Sequence, residues 1–296
     1  MKVFGLFSGI GGFELGFQRA GMEIGAYCEI EEHCLKVMRK NFPDAKEFND
    51  VSSIELKEGE WDVMCGGFPC QDISIAGKNR GLLGGDKSSL WLHFRRLIED
   101  ARPKYAVIEN VNALLGRGLE VILQHLAEIG YDAAWTTYDS KYFGVPQRRR
   151  RVYIVAFRDG IPEGSNIFDF KERYSRREEH RSKVDAVEQG FDWSFTEIEE
   201  GRSPFAYFTR QGSREYSTRG VASTLLKRDY KDFTDLILVN GVIRTLSPEE
   251  RLLLQGYPID WWDGCELTKT QKYMCNGMTV NVVEHIGKNI MELKNV

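Results

Sequence analysis

Over residues 1–157, short apolar runs alternate with longer segments in which apolar residues recur at helical spacing. The runs cover 2–7, 23–28, 62–65, 105–109 and 151–157, and the helical segments cover 13–20, 31–42, 90–101 and 119–129. This alternation predicts βαβ units, hence an α/β class with a doubly wound, mostly parallel sheet covered by helices on both faces. Ligands of such sheets bind beyond the carboxyl ends of the strands, which directs attention to the residues following Phe7, Cys28, Cys65 and Glu109. After residue 157 the pattern breaks into Pro162, Gly164 and a mixed-charge stretch over 171–183, then a turn-rich region with short β-prone pieces over 205–262. Helical spacing returns over 279–293. The reading is a large domain over 1–160, a smaller, irregular one over 161–271, and a segment over 272–296 that returns to the first.

Composition narrows the class. With 42% hydrophobic and 28% charged residues among 296, the chain can bury a core and is not a disordered type. No apolar run approaches the ~20 residues needed to span a bilayer. The first residues carry several glycines and Glu14 where a secretory leader would be uninterrupted, so a cytoplasmic location is expected. The six cysteines (Cys28, Cys34, Cys65, Cys70, Cys265, Cys275) show neither a disulfide framework nor metal-ligand spacing, so no metal is expected. The net charge of −4 is unevenly spread. Residues 1–70 hold 7 Lys/Arg against 12 Asp/Glu, whereas 202–231 hold 7 against 2. Nucleic-acid binding depends on such local basic stretches rather than on net charge.

The residues at the predicted sheet edge suggest chemistry. Between the first strand and first helix stands Phe7-Ser8-Gly9-Ile10-Gly11-Gly12, a glycine loop that lets a cofactor approach the backbone at a helix N-terminus. The third small residue of the dinucleotide fingerprint is replaced by Glu14, which disfavours a pyrophosphate cofactor. Glu29 and Asp50, after the second and third strands, are candidates to accept ribose hydroxyls. The sharpest feature is Gly66-Gly67-Phe68-Pro69-Cys70-Gln71. Its Gly-Gly and Pro specify a special backbone path, and they place a thiol in a loop where a nucleophile could meet a cofactor. Ile108-Glu109-Asn110-Val111 brings a carboxyl to the same edge as a candidate proton donor. In Pro146-Gln147-Arg148-Arg149-Arg150-Arg151, alternation along a strand puts Arg149 and Arg151 on one face and Arg148 and Arg150 on the other.

Taken in order, FSGIGGF, CEI, GGFPCQ, ENV and PQRRRRVYIVAF resemble the motifs of the bacterial and phage DNA (cytosine-5) methyltransferases. The resemblance continues through QGSREYSTRG at 211–220, RTLSPEE at 244–250, LQGYP at 254–258 and NGMTVN at 276–281. It covers the chain apart from about residues 160–204, with Cys275 where the family usually has Gly. It implies a Rossmann-like methyltransferase sheet with a smaller target-recognition domain, and S-adenosylmethionine as methyl donor, leaving S-adenosylhomocysteine. It implies Cys70 as the nucleophile that adds to carbon 6 of a flipped-out cytosine, Glu109 as the partner of ring nitrogen 3, and Arg149 and Arg151 as the arginines that hold the base and support Glu109. Phe7, Ile10, Gly11, Glu29, Ile30, Asp50, Val51, Pro69, Leu90, Asn276 and Met278 would surround the cofactor. Gln211 matches the residue that fills the space left by the flipped base, and Arg214, Arg219, Lys227 and Arg228 would contact double-stranded DNA. The same resemblance implies a monomer and allows a restriction endonuclease acting on the same site.

Three other readings compete. A tRNA cytosine-5 methyltransferase would share the catalytic set, but the Cys-Phe-Thr motif of that branch is absent and QG-x-R-x-YSTRG favours DNA. A silent DNA-binding module is disfavoured by the intact Cys70, Glu109, Arg149 and Arg151. A nucleotide-binding oxidoreductase leaves Glu14 and Cys70 unexplained.

Overall fold

The computed structural model describes residues 1–69, 88–163, 165, 167–168, 196–197, 214–217, 235–239, 242–265 and 277–293. Its contacts divide the chain into two compact units. The larger takes in Met1–Tyr138, Arg150–Asp169 and Val282–Val296, and the smaller takes in Asp139–Arg149 and Phe170–Asn281. Against the boundaries at 160 and 272 read from the sequence, the contacts place breaks at 169 and 281 and group Asp139–Arg149 with the smaller unit.

The larger unit is built on β1 (Lys2–Leu6), β2 (Glu23–Cys28), β3 (Lys46–Phe48), β4 (Val63–Gly66), β5 (Tyr105–Val111), β6 (Asp132–Asp139) and β7 (Arg150–Phe157). They lie in the order β3-β2-β1-β4-β5-β7-β6. Pairs from β3 through β5 are parallel, and β7 runs antiparallel to β5. Parallel strands covered on both faces carry continuous apolar runs, and here Val3, Phe4, Leu6, Val63, Met64, Val107 and Ile108 are all buried. The helices α1 (Gly12–Arg19), α2 (Glu32–Asn41), α3 (Ser88–Ala101) and α4 (Leu119–Glu128) follow the strands in chain order. Trp91, Phe94, Leu97, Ile98 and Ala101 recur at helical spacing along α3, and all are buried in one core with Phe4, Ile108 and Ile154.

In the smaller unit, β8 (Thr196–Glu197), β9 (Arg214–Ser217), β10 (Asp235–Val239) and β11 (Val242–Thr245) form a second sheet in the order β11-β10-β9-β8. The short helix α5 (Pro248–Leu253) begins with a capping box, Ser247 and Glu250 each bonding to the other's backbone N–H. The last helix, α6 (Val280–Leu293), closes the larger unit through its residues after 281. Gly287 packs there so closely that a Cβ would stand 2.7 Å from Ala20 and 2.9 Å from Phe17 of α1. No helix among the described residues is long and apolar enough to cross a membrane.

Candidate active site

Register sets the edge. Leu6 pairs with Cys28 and with Gly66, and Gly66 pairs with Ile108, so Phe7, Glu29 and Gly67 leave the sheet at the level of Glu109, which β5 carries on beside β7. This is where an open α/β sheet binds its ligands.

After β1 the chain turns through positive φ at Phe7 (55°), Gly9 (55°) and Gly11 (88°), the last capping α1. A Cβ added at Gly9 would meet nothing within 4 Å, so the loop is open to a ligand there. Glu29 ties this loop to the next. Its Oε2 accepts the Gly9 N–H at 2.7 Å, and its Oε1 accepts the N–H groups of Ile30 and Glu31, both at 2.9 Å. Burial pushes the Glu29 carboxyl above its ordinary range, and these backbone donors oppose the shift. Ile30 beside it is 75% exposed, an apolar side chain standing at the rim. Asp50 accepts the Ser52 N–H, which holds its carboxyl below the ordinary range, and leads into a 3-10 turn over Val51–Ser53.

That turn is held by a residue the sequence does not announce. The Arg96 guanidinium on α3 donates to the carbonyls of Val51, Ser52 and Ile54 at 3.3, 3.4 and 2.9 Å. Phe7 and Leu90 pack against the core, Val51 lies within it, Ile10 is buried, and Pro69 is exposed.

At the end of β4 the Gly66-Gly67-Phe68-Pro69 segment begins against the acid. A Cβ on Gly67 would stand 2.9 Å from Glu109 Oε2. Asn110, 2% exposed, donates to the Phe68 carbonyl at 3.2 Å and accepts the Val111 N–H at 2.9 Å, which anchors the approach to Pro69. Glu109 Oε1 is 3.2 Å from Arg151 Nε, and the two side chains are 13% and 15% exposed. Because β7 pairs Arg151 with Val111, Arg151 and Glu109 are diagonal neighbours on one face of the sheet. Cys70 itself lies outside the described residues.

Replacing Gly67 with alanine should leave the fold intact but displace Glu109. Any activity that this edge carries through Glu109 should fall about 100-fold, the scale expected of a 1 Å misplacement at a reacting centre. Steady-state rates and a thermal melt on the same sample check both halves.

Arg148 and Arg150 are exposed while Arg149 and Arg151 are not, as strand alternation predicts. Arg149 belongs to the smaller unit, where it is 3% exposed and its Nη2 donates to the Gly277 carbonyl at 2.8 Å. The Ser140 hydroxyl lies 2.7 Å from that of Thr279, and Asn281 donates to the Phe143 carbonyl at 2.8 Å. These bonds fix the backbone on either side of Met278, which is 7% exposed. Arg214 opens β9, with its backbone opposite Asp235 of β10. Asn276, Gln211, Arg219, Lys227 and Arg228 lie outside the described residues.

Three other thiols are unsuited to nucleophilic work. Burial pushes the Cys28 thiol up to about 12 and raises those of Cys34 and Cys65 as well, so all three stay protonated at neutral pH.

Glu14, in the first turn of α1, is fully buried under the glycine loop, and burial lifts its carboxyl to about 7. The unfolded chain releases this proton near 4.5, so between pH 4.5 and 7 the folded state holds a proton that the unfolded state has lost. Stability contributed by this group is therefore complete below 4.5 and lost as pH rises to 7, by roughly 3 kcal/mol. Glu14→Gln should flatten that fall, read as the urea midpoint against pH.

Comparison with known proteins agrees with this geometry. The chain matches the family described as C-5 cytosine-specific DNA methylase over residues 1–189 and 166–292. It is 30% identical to the type II methyltransferase M1.ScrFI of Lactococcus lactis subsp. cremoris, over 99% of this chain and 78% of that protein. It is 29% identical to the type II methyltransferase M.HhaI of Haemophilus parahaemolyticus, over 98% and 94% respectively. Among solved structures, the S. pombe Dnmt2 methyltransferase superposes over all of both chains with a TM-score of 0.78 at 18% identity, a likeness of fold. A sheet edge that sets the loop of a GGFPC motif against a paired glutamate, in a chain matched along nearly its whole length, has one reading: the chain belongs to the C-5 cytosine-specific DNA methylase family and is a DNA (cytosine-5)-methyltransferase.

Proposed function

We propose that this edge methylates carbon 5 of a cytosine flipped out of double-stranded DNA, with S-adenosylmethionine as donor and a covalent adduct at Cys70. The observation that carries the reading is the start of the Cys70 loop resting on Glu109, itself paired with Arg151. The cofactor fits the residues present. The loop is open over Gly9, the Glu29 carboxylate bridges that loop to Ile30 and Glu31, and the exposed Ile30 offers an apolar rim for a base. Phe7, Ile10, Gly11, Asp50, Val51, Pro69, Leu90, Asn276 and Met278 complete the proposed cofactor set.

S-adenosylmethionine, when bound, supplies an electrophilic methyl group for carbon 5. Cys70 adds as thiolate to carbon 6, which makes carbon 5 nucleophilic. Glu109 shares its proton with ring nitrogen 3 and so stabilises the charge that this addition drives into the ring. Arg151 holds the Glu109 carboxyl in place, and Arg149 keeps Gly277 and Met278 positioned. Loss of the carbon 5 proton then expels Cys70 and restores the ring. A stacked base cannot reach Cys70, so the cytosine must leave the duplex. Residues 161–271 are the proposed target-recognition region, with Gln211, Arg214, Arg219, Lys227 and Arg228 facing DNA. The type II relatives support a restriction endonuclease of the same specificity as a companion. The chain is proposed to act as a monomer, and the chemistry calls for no metal.

The test is transfer of labelled methyl from S-adenosylmethionine to unmethylated duplex DNA and, separately, to tRNA, with products mapped by base-resolution sequencing. Label on cytosine carbon 5 at one short duplex motif is expected. Label on tRNA alone would overturn the substrate.

A further inference from the structure

We propose that Glu14 makes the cofactor site prefer the positively charged methyl donor over its neutral product, acting as a buried carboxylate beneath the glycine loop. This rests on reading the edge as the S-adenosylmethionine site. Glu14 is 0% exposed, and the polar side chain beside its carboxyl is the neutral Ser8 hydroxyl, which favours ionisation less than burial opposes it. That hydroxyl is itself buried. The carboxyl lies on the strand that feeds the loop, since a Cβ on Gly5 would collide with Glu14 Oε1 and stand 3.2 Å from Ser8 Oγ. An isolated buried carboxyl is costly, and protein chains keep one where its charge has work to do.

The surroundings restrict what that work can be. Glu29 of the neighbouring loop is the charged group that acts on Glu14, and it disfavours ionisation. Tyr27 of β2 and Cys65 of β4 feel the Glu14 charge and are themselves neutral at pH 7. Met38 of α2 and Phe42 just after it lie against Gly11 of the loop, and α6 meets α1 through Gly287; these are apolar contacts. No cation among these neighbours compensates Glu14, so a cation arriving at the loop would be its first opposite charge. The donor carries a sulfonium that the product lacks, whereas both carry the same amino and carboxyl groups. Donor binding therefore favours the ionised form of Glu14 and product binding does not. By linkage, ionised Glu14 favours the donor by the same factor. The carboxyl's lift to about 7 places this exchange at neutral pH.

The experiment is calorimetric binding of S-adenosylmethionine and, separately, S-adenosylhomocysteine to the wild type and to Glu14→Gln between pH 6 and 8. Each titration is run in two buffers of different ionisation enthalpy, so that proton release is read directly. In the wild type, the donor-to-product affinity ratio should rise about tenfold across this range, and only the donor should release protons. In Glu14→Gln the ratio should be flat. Because the wild type alone gives the pH profile, the test stands even where the variant folds poorly. A flat wild-type ratio with equal proton release, or an unchanged profile in the variant, overturns the role of Glu14. Failure to bind either molecule overturns the cofactor reading instead.

Discussion

Replacing Cys70 with alanine is expected to lower methyl transfer by at least about four orders of magnitude while leaving duplex DNA binding intact. The size follows from chemistry. Carbon 5 of cytosine is too weak a nucleophile to attack a sulfonium methyl unaided, and an enzyme without its covalent catalyst retains only positioning and electrostatic help. The thiols of Cys28, Cys34 and Cys65 offer no bypass at neutral pH from within the core, because burial holds them protonated. Single-turnover transfer and a DNA-binding titration on the same preparation check the prediction. A variant that methylates within tenfold of the wild type would place the nucleophile elsewhere.

The second large effect concerns the pair behind it. Glu109→Gln keeps the shape of the acid but removes its exchangeable proton, and turnover should fall about 1,000-fold with little change in the donor KM. Arg151→Leu leaves the Glu109 carboxylate without its guanidinium at 3.2 Å, and should cost about 100-fold. Because the two act as one unit, the double variant should be no slower than about tenfold below Glu109→Gln. Arg151→Lys restores the charge but not the directed Nε contact, so it should recover only part of the loss. Multiplicative losses in the double variant would mean that Arg151 serves the reaction independently of Glu109.

Much of this was legible because the chemistry sits at strand ends. A parallel sheet announces its strands as apolar runs, and register then decides which residues share a level; Phe7, Glu29 and Gly67, leaving their strands, and Glu109, still within β5, do so by backbone pairing alone. The edge strand β6 is where the pattern fails. Asp132–Asp139 includes Trp135 at 45% exposed and has no clean alternation, since an edge strand lacks the two covered faces that write an apolar run. Arg96 was equally hidden. It reads as one more charged residue on an amphipathic helix, and only the carbonyls of a turn more than 40 residues earlier in the chain give it a role. Arg149 shows the limit of alternation, which sorted buried from exposed arginines correctly but could not say that its guanidinium would bond the Gly277 carbonyl. Glu14 was visible as a departure from a dinucleotide motif, yet its burial depends on Gly5 leaving room for it, a matter of packing across elements.

The central claim is a covalent bond between Cys70 and cytosine, and trapping that bond tests it most directly. A duplex carrying 5-fluorocytosine at the mapped target blocks loss of the carbon 5 substituent, so the adduct cannot resolve after methyl transfer. Incubated with enzyme and S-adenosylmethionine, it should give a denaturation-resistant protein–DNA complex whose peptide map shows the nucleotide on Cys70. A complex mapped to another cysteine, or methylation of ordinary substrate with no trapped complex at all, would contradict the account.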